Sequence, residues 1–190
     1  MSLDKTNAVL RRLRDTFAKF ARTAEAVSAL EFALVLPAML ALYFGTVELG
    51  QALSINRKVT HVTSSLADLV TQSKTITNAD MSNIFDAAES IIVPYDVNTL
   101  KMTITGITIN SSGVAKVAWS DTRHGTALTV NSNYTGTLPA GVNQASTFLV
   151  TADVSYDYTP RIGYILTGTF TLHDQFFLRP RASSTVTRTP

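Results

Sequence analysis

The chain has 190 residues, 45% of them hydrophobic, with 16 basic and 14 acidic residues for a formal charge of +2, and no cysteine. The missing cysteines exclude a disulfide framework, thiol chemistry and thiolate metal sites. About 140 residues follow the most apolar stretch, enough for one modest domain and hardly two.

Residues 1–25 carry Lys5, Arg11, Arg12, Arg14, Lys19 and Arg22 against Asp4, Asp15 and Glu25. Leu10, Leu13, Phe17 and Phe20 recur at spacings of three and four, with the cations largely off that stripe. Two readings fit: a basic amphipathic helix on the inner membrane surface, or a partly disordered basic arm. A nucleic-acid arm would need an aromatic platform or a second basic patch, and the sequence offers neither.

Residues 26–50, AVSALEFALVLPAMLALYFGTVELG, are expected to cross a bilayer. At about 1.5 Å per residue they reach roughly 37 Å as a helix, against a hydrocarbon core of roughly 30 Å. Between Glu31 and Glu48, the run Phe32 to Val47 has no charge. A buried helix of a soluble protein is the alternative, but one this apolar on all sides would need a larger partner than the rest of the chain supplies. A cleavable signal peptide also competes; the length of the run and its glutamates favour a retained single-pass anchor. The basic excess before Ala26 favours a cytoplasmic N-terminus and an exported C-terminal domain, although Arg57 and Lys58 weaken the asymmetry. Pro37 is the expected kink. Small residues every fourth position, Ala41 with Gly45 and Thr46 with Gly50 and Ser54, would permit close helix–helix approach.

Ile55, Val59, Val62, Leu66 and Leu69 continue a near-3.6 period, so one helix is expected from about Ala26 to Thr71. A second is expected over Asn78 to Ile92, capped by Thr77 with Asp80, with Met81, Ile84, Phe85, Ala88 and Ile91 on its apolar face and Pro94 after its end. Strand patterns follow: Leu100, Met102 and Ile104; after the turn at residues 110–113, Ala115, Val117 and Trp119 alternating on one face; Phe148 through Tyr158; and Phe170 to Leu178. Asp121 to Ser146 reads as irregular, with a short strand at Ala127–Val130. The fold class is α+β: a long pilin-like N-terminal helix continuing into an exported domain, with a second helix and an antiparallel sheet of about four strands. Its segments are a basic arm or leader at 1–25, a transmembrane segment at 26–50, the exported domain at 51–182, and a loose tail at 183–190.

Little catalytic chemistry is visible. His61, His124 and His173 lack the close spacing of a zinc motif, and there is no nucleophile elbow, Walker loop or dinucleotide fingerprint. The expectation is a non-enzyme with no cofactor, metal, nucleic acid or small-molecule substrate. Glu31 stands out, because it would lie roughly 7 Å inside the apolar boundary, where a carboxylate usually faces a cation or snorkels. Glu48, near the outer end, is a candidate interfacial or assembly contact within reach of Arg57 or lipid head groups.

The run from Ala26 to Pro37, with Gly45, Glu48 and Gly50 behind it, resembles the TadE-like family, pilin-like minor components of the tight-adherence (Tad/Flp) pilus machinery within the type IV pilus and type II secretion superfamily. The likeness is specific over about 25 residues and general beyond them, where Val154, Tyr156, Tyr158 and Pro160 meet a late V-x-Y-x-Y-x-P pattern. The resemblance implies an assembly role for Glu31 and a processing point between Ala26 and Val27, although glycine is the usual residue where Ala26 stands. It also implies partners: the inner-membrane platform, the major Flp-type pilin, sibling minor pilins and the bilayer. The implied location is the bacterial inner membrane. A membrane-anchored exported binding module, with the span only as a tether, is the alternative.

Overall fold

The structure is a computed structural model that describes residue 14, residues 24–161, residue 163 and residues 166–190. The arm pattern through Leu10, Leu13, Phe17 and Phe20 lies outside the described residues.

Helix α1, Ala24–Thr71, is a single element of 48 residues that runs without a break through Pro37. Its two halves meet different surroundings. From Val27 to Tyr43 the side chains are exposed on every face, including Leu30, Phe32, Leu34 and Leu42. Farther on, Ile55, Val59, Val62, Leu66 and Val70 are all buried, at spacings of four, three, four and four. The 3.6-residue period places the last core contact at Val70 and leaves Leu69, the expected one, only half-buried.

A two-residue strand, β1 (Thr75–Ile76), leads into α2 (Asn78–Ile92). The start of α2 is a capping box. The Thr77 hydroxyl accepts from the Asp80 N–H at 3.2 Å, while the Asp80 carboxylate accepts from the Thr77 N–H at 3.0 Å. Those bonds hold the Asp80 carboxyl below its ordinary pKa. At the other end the Lys58 ammonium donates to the carbonyls of Ile91 and Val93, both at 2.7 Å, so α1 supplies the cation that the end of α2 favours. Met81, Phe85, Ala88 and Ile92 are the buried face of α2.

Both helices cover one face of a four-stranded antiparallel sheet of order β3-β2-β4-β5, formed by β2 (Leu100–Ile109), β3 (Ala115–Arg123), β4 (Thr147–Tyr158) and β5 (Phe170–Leu178). Leu100, Met102 and Ile104 pair with Tyr156, Val154 and Ala152, and all six are in the main core. Ala115, Val117 and Trp119 do not share one face. The register slips between Gly106↔Trp119 and Ile107↔Val117, so an extra residue, Ala118, is accommodated in β3. Trp119 therefore joins the main core, while Ala115 packs with Ile107, Ile109 and Leu149 in a small second cluster. Gly106 is required here: a Cβ would lie 2.4 Å from the Trp119 ring.

Two expectations are corrected. No strand forms at Ala127–Val130; this stretch turns back along β3, with Asn131 N–H donating to Val117 O at 2.8 Å and Leu128 N–H to the Ser120 hydroxyl at 3.0 Å. Nor is the tail at 183–190 loose. Val186 is buried, its carbonyl accepts from the Trp119 indole at 2.8 Å, and β6 (Thr187–Arg188) pairs in parallel with β1. The Arg188 guanidinium grips both oxygens of Asp121 at 2.9 Å. Thr and Arg look like solvent residues in a sequence, but the open β1 edge and the Trp119 N–H both need partners.

Arg188→Ala is expected to destabilise the detergent-solubilised chain by about 1–2 kcal/mol in denaturant titration, since it leaves the half-buried Asp121 without its partner. A change of a few tenths would mean that the tail contributes nothing.

Candidate functional site: the helix and its junction with the sheet domain

Glu31 sits on the part of α1 that is exposed all round, with no hydrogen bond or ion pair to any described residue. Nothing in the described chain compensates it. In hydrocarbon an isolated carboxylate costs about 2.5–3.5 kcal/mol or more at mid-span and less toward the ends. The expected processing point falls on helical backbone, because α1 already begins at Ala24.

Glu48 is placed differently. It is only 1% exposed, and its carboxylate accepts from the Leu166 N–H at 2.8 Å. Seven residues on is Ile55 and eleven on is Val59, so Glu48 opens the stripe that becomes the domain core. That spacing was the signal that Glu48 faces inward rather than outward. Arg57, the expected neighbour, lies nine residues, or about 13 Å, farther along the axis.

The tyrosines of the late pattern converge on this junction. Val154, Tyr156, Tyr158 and Pro160 are all buried at the end of β4, against the face of α1 that Glu48 begins. The Tyr158 hydroxyl finds no hydrogen-bond partner among the described residues. Burial first, then the nearby Glu48 charge, pushes its pKa above the ordinary 10.0. A groove of about 290 Å³ opens beside it, bordered by Gln51, Tyr95, Asp96, Asp157 and Arg161.

The two glutamates do not form one site. Seventeen residues separate them by about 25 Å along α1 and about 100° around it. The small residues divide likewise: Ala41 and Gly45 lie on the Glu48 side, whereas Thr46, Gly50 and Ser54 lie roughly opposite, on the exposed side. A Cβ on Gly50 would meet nothing within 4 Å. The Thr46 hydroxyl returns to Leu42 O at 2.8 Å. A single straight helix could not pack against both sets without wrapping α1. Among the described residues no group of His, Asp and Glu could hold a metal ion. The three histidines stay apart; His173 meets Asp153 at 3.2 Å in an exposed pair.

Residues 26–68 match the family model described as TadE-like protein, which includes the candidate membrane span, both glutamates and most of the core-facing half of α1. The match associates the chain with Tad pilus machinery in general. No curated protein and no solved structure matches the chain. The tyrosine junction lies outside the matched residues, yet it packs on them.

Tyr158→Phe removes a buried hydroxyl that has no partner among the described residues, and at neutral pH it is expected to be neutral or stabilising by up to about 1 kcal/mol. The alkaline limb provides the second reading. Between pH 10 and the raised pKa of Tyr158 the unfolded chain loses a proton that the folded chain keeps, so stability falls as pH rises. Tyr134, also raised chiefly by burial, shares that fall. The variant should therefore reduce the alkaline loss without abolishing it, as measured by unfolding at stepped pH.

Proposed function

We propose that the protein is a non-enzymatic structural subunit of tight-adherence pilus assembly, a minor-pilin-like or pseudopilin-like component anchored by α1 with its sheet domain outside the cytoplasmic membrane. One observation carries the reading. A single unbroken helix is exposed on all faces over its first half, bears the uncompensated Glu31 there, and then becomes the core helix of the domain. An anchor used only as a tether needs neither a carboxylate in its apolar stretch nor a rigid continuation into the domain.

In this reading Glu31 meets a cation on a neighbouring subunit: a lysine, an arginine or a freed α-amino group. The low dielectric that makes an unpaired carboxylate costly makes a paired one selective for register, because a slip by one turn leaves both charges unpaired. The neighbours are the major Flp-type pilin, sibling minor pilins and the inner-membrane platform. The basic excess before Ala26 supports a cytoplasmic N-terminus, with Arg57 and Lys58 weighing against it.

Glu31→Ala is expected to reduce filament assembly at least tenfold, counted on cells, while the subunit itself accumulates normally. Unchanged assembly would remove the role given to that carboxylate. Replacing residues 26–50 by an unrelated span of equal length should also abolish function; full activity would favour the tethered binding module. N-terminal sequencing of the protein from its native membrane should show a start at Val27 if the leader is cleaved, and the original terminus if it is a permanent anchor.

A further inference from the structure

The face of α1 turned away from the sheet stays apolar and exposed for longer than the face that carries Glu48. Leu42, Leu49 and Leu53 are each more than half exposed along it. One turn beyond Leu53 the character changes abruptly. A groove of about 540 Å³ opens between α1 and the end of α2, lined by Gly50, Leu53, Ser54, Arg57, Lys58 and His61. No acidic residue borders it among the described residues.

Arg57 carries no ion pair with any described residue, and no hydrogen bond of its guanidinium or of the His61 ring is present among them. Lys58 turns its ammonium to the carbonyls ending α2, which fixes its charge at the wall of the groove. Side chains on a helix lean toward its N-terminus, so Arg57 and His61 slope back toward the exposed leucines. The headgroup layer begins where hydrocarbon ends and is roughly 5–7 Å deep on each side. The groove thus presents an apolar lip at Leu53, a small floor at Gly50 and Ser54, and donors above it.

We propose that this groove binds the phosphate of an anionic phospholipid headgroup, of the phosphatidylglycerol kind, from the leaflet on the domain side of the membrane. The lipid's acyl chains run down the Leu53–Leu49–Leu42 stripe, and Arg57 donates to its phosphate beside the fixed charge of Lys58, with His61 about 6 Å farther out along the helix. The proposal rests on α1 being the span. Its charge complementarity and its continuity with the apolar stripe favour a lipid, whose phosphate lies just beyond the hydrocarbon, over a second helix. The bound headgroup would set the depth and rotation of the domain on the membrane.

The full chain in nanodiscs of phosphatidylcholine containing a minority of phosphatidylglycerol is released into a native mass spectrometer, and the lipids it retains are counted. The wild type should keep phosphatidylglycerol in preference, and the Arg57→Gln/His61→Gln double variant should lose that preference about fivefold, equivalent to about 1 kcal/mol. The exposed pair Lys74→Gln/Lys116→Gln, away from the groove, should change nothing. Equal retention in wild type and double variant, with both chains held in the discs, overturns the groove alone; failure of the chain to enter the discs overturns the span as well. Excess inorganic phosphate should leave the lipid count unchanged, and displacement by it would overturn the membrane source. The chain has no cysteine, so Ser54→Cys supplies a unique thiol. Efficient cross-linking of two copies through it in the discs would show a second chain in the groove and overturn the lipid.

Discussion

Everything else in the molecule depends on one helix that is apolar and exposed over its first half and forms the domain core with its second. Ten large apolar side chains from Val27 to Tyr43 stand exposed on α1. In water their exposure would forfeit roughly 10–20 kcal/mol of burial. That matches or exceeds the whole stability of a typical domain, about 5–15 kcal/mol. A lipid surrounding would remove the conflict, provided the apolar stretch and the core-facing stripe are kept apart along the axis. Glu48 marks the place where they meet.

That meeting point is held by polar bonds as well as by packing. The Glu48 carboxylate anchors the Leu166 N–H, and β4 sends Tyr156 and Tyr158 down onto the same face of α1. A buried carboxylate bonded to backbone is costly to leave unpaired, which makes the bond specific rather than merely adhesive. Glu31 has no such solution among the described residues. The two acids, alike in sequence, are therefore placed differently: Glu48 bonds the chain to itself, whereas Glu31 meets no described residue.

The long-period features were legible in the sequence. The apolar length of 26–50, the core stripe from Ile55, the Thr77–Asp80 cap and the alternation from Phe148 to Tyr158 are local patterns that tertiary contacts reinforce. What escaped was set by partners distant in sequence. Ala118 looks like any strand residue, yet it is the extra residue that sends Trp119 and Ala115 to different clusters. The tail looked loose because its side chains are polar, but Arg188 has a carboxylate waiting on β3 and Val186 offers a carbonyl to the indole. At the site the gap was similar. Glu48 read as interfacial because a carboxylate beside Gly50 suggests a membrane surface, whereas its register with Ile55 and Val59 places it under the domain.

The parallel pairing of β1 with β6 carries a mechanical consequence. Arg181 meets Asp68 at 2.8 Å near the end of α1, and β6 then lies beside the strand that leaves that helix. The two ends of the domain's chain are thus fastened to each other beside the point where α1 enters. Tension drawn through α1 would reach a closed loop of backbone rather than a free end, and the β1–β6 bonds, lying across the strands, would bear it together in shear instead of opening one at a time. A domain fastened in that way can be pushed or pulled by its membrane helix as a solid body.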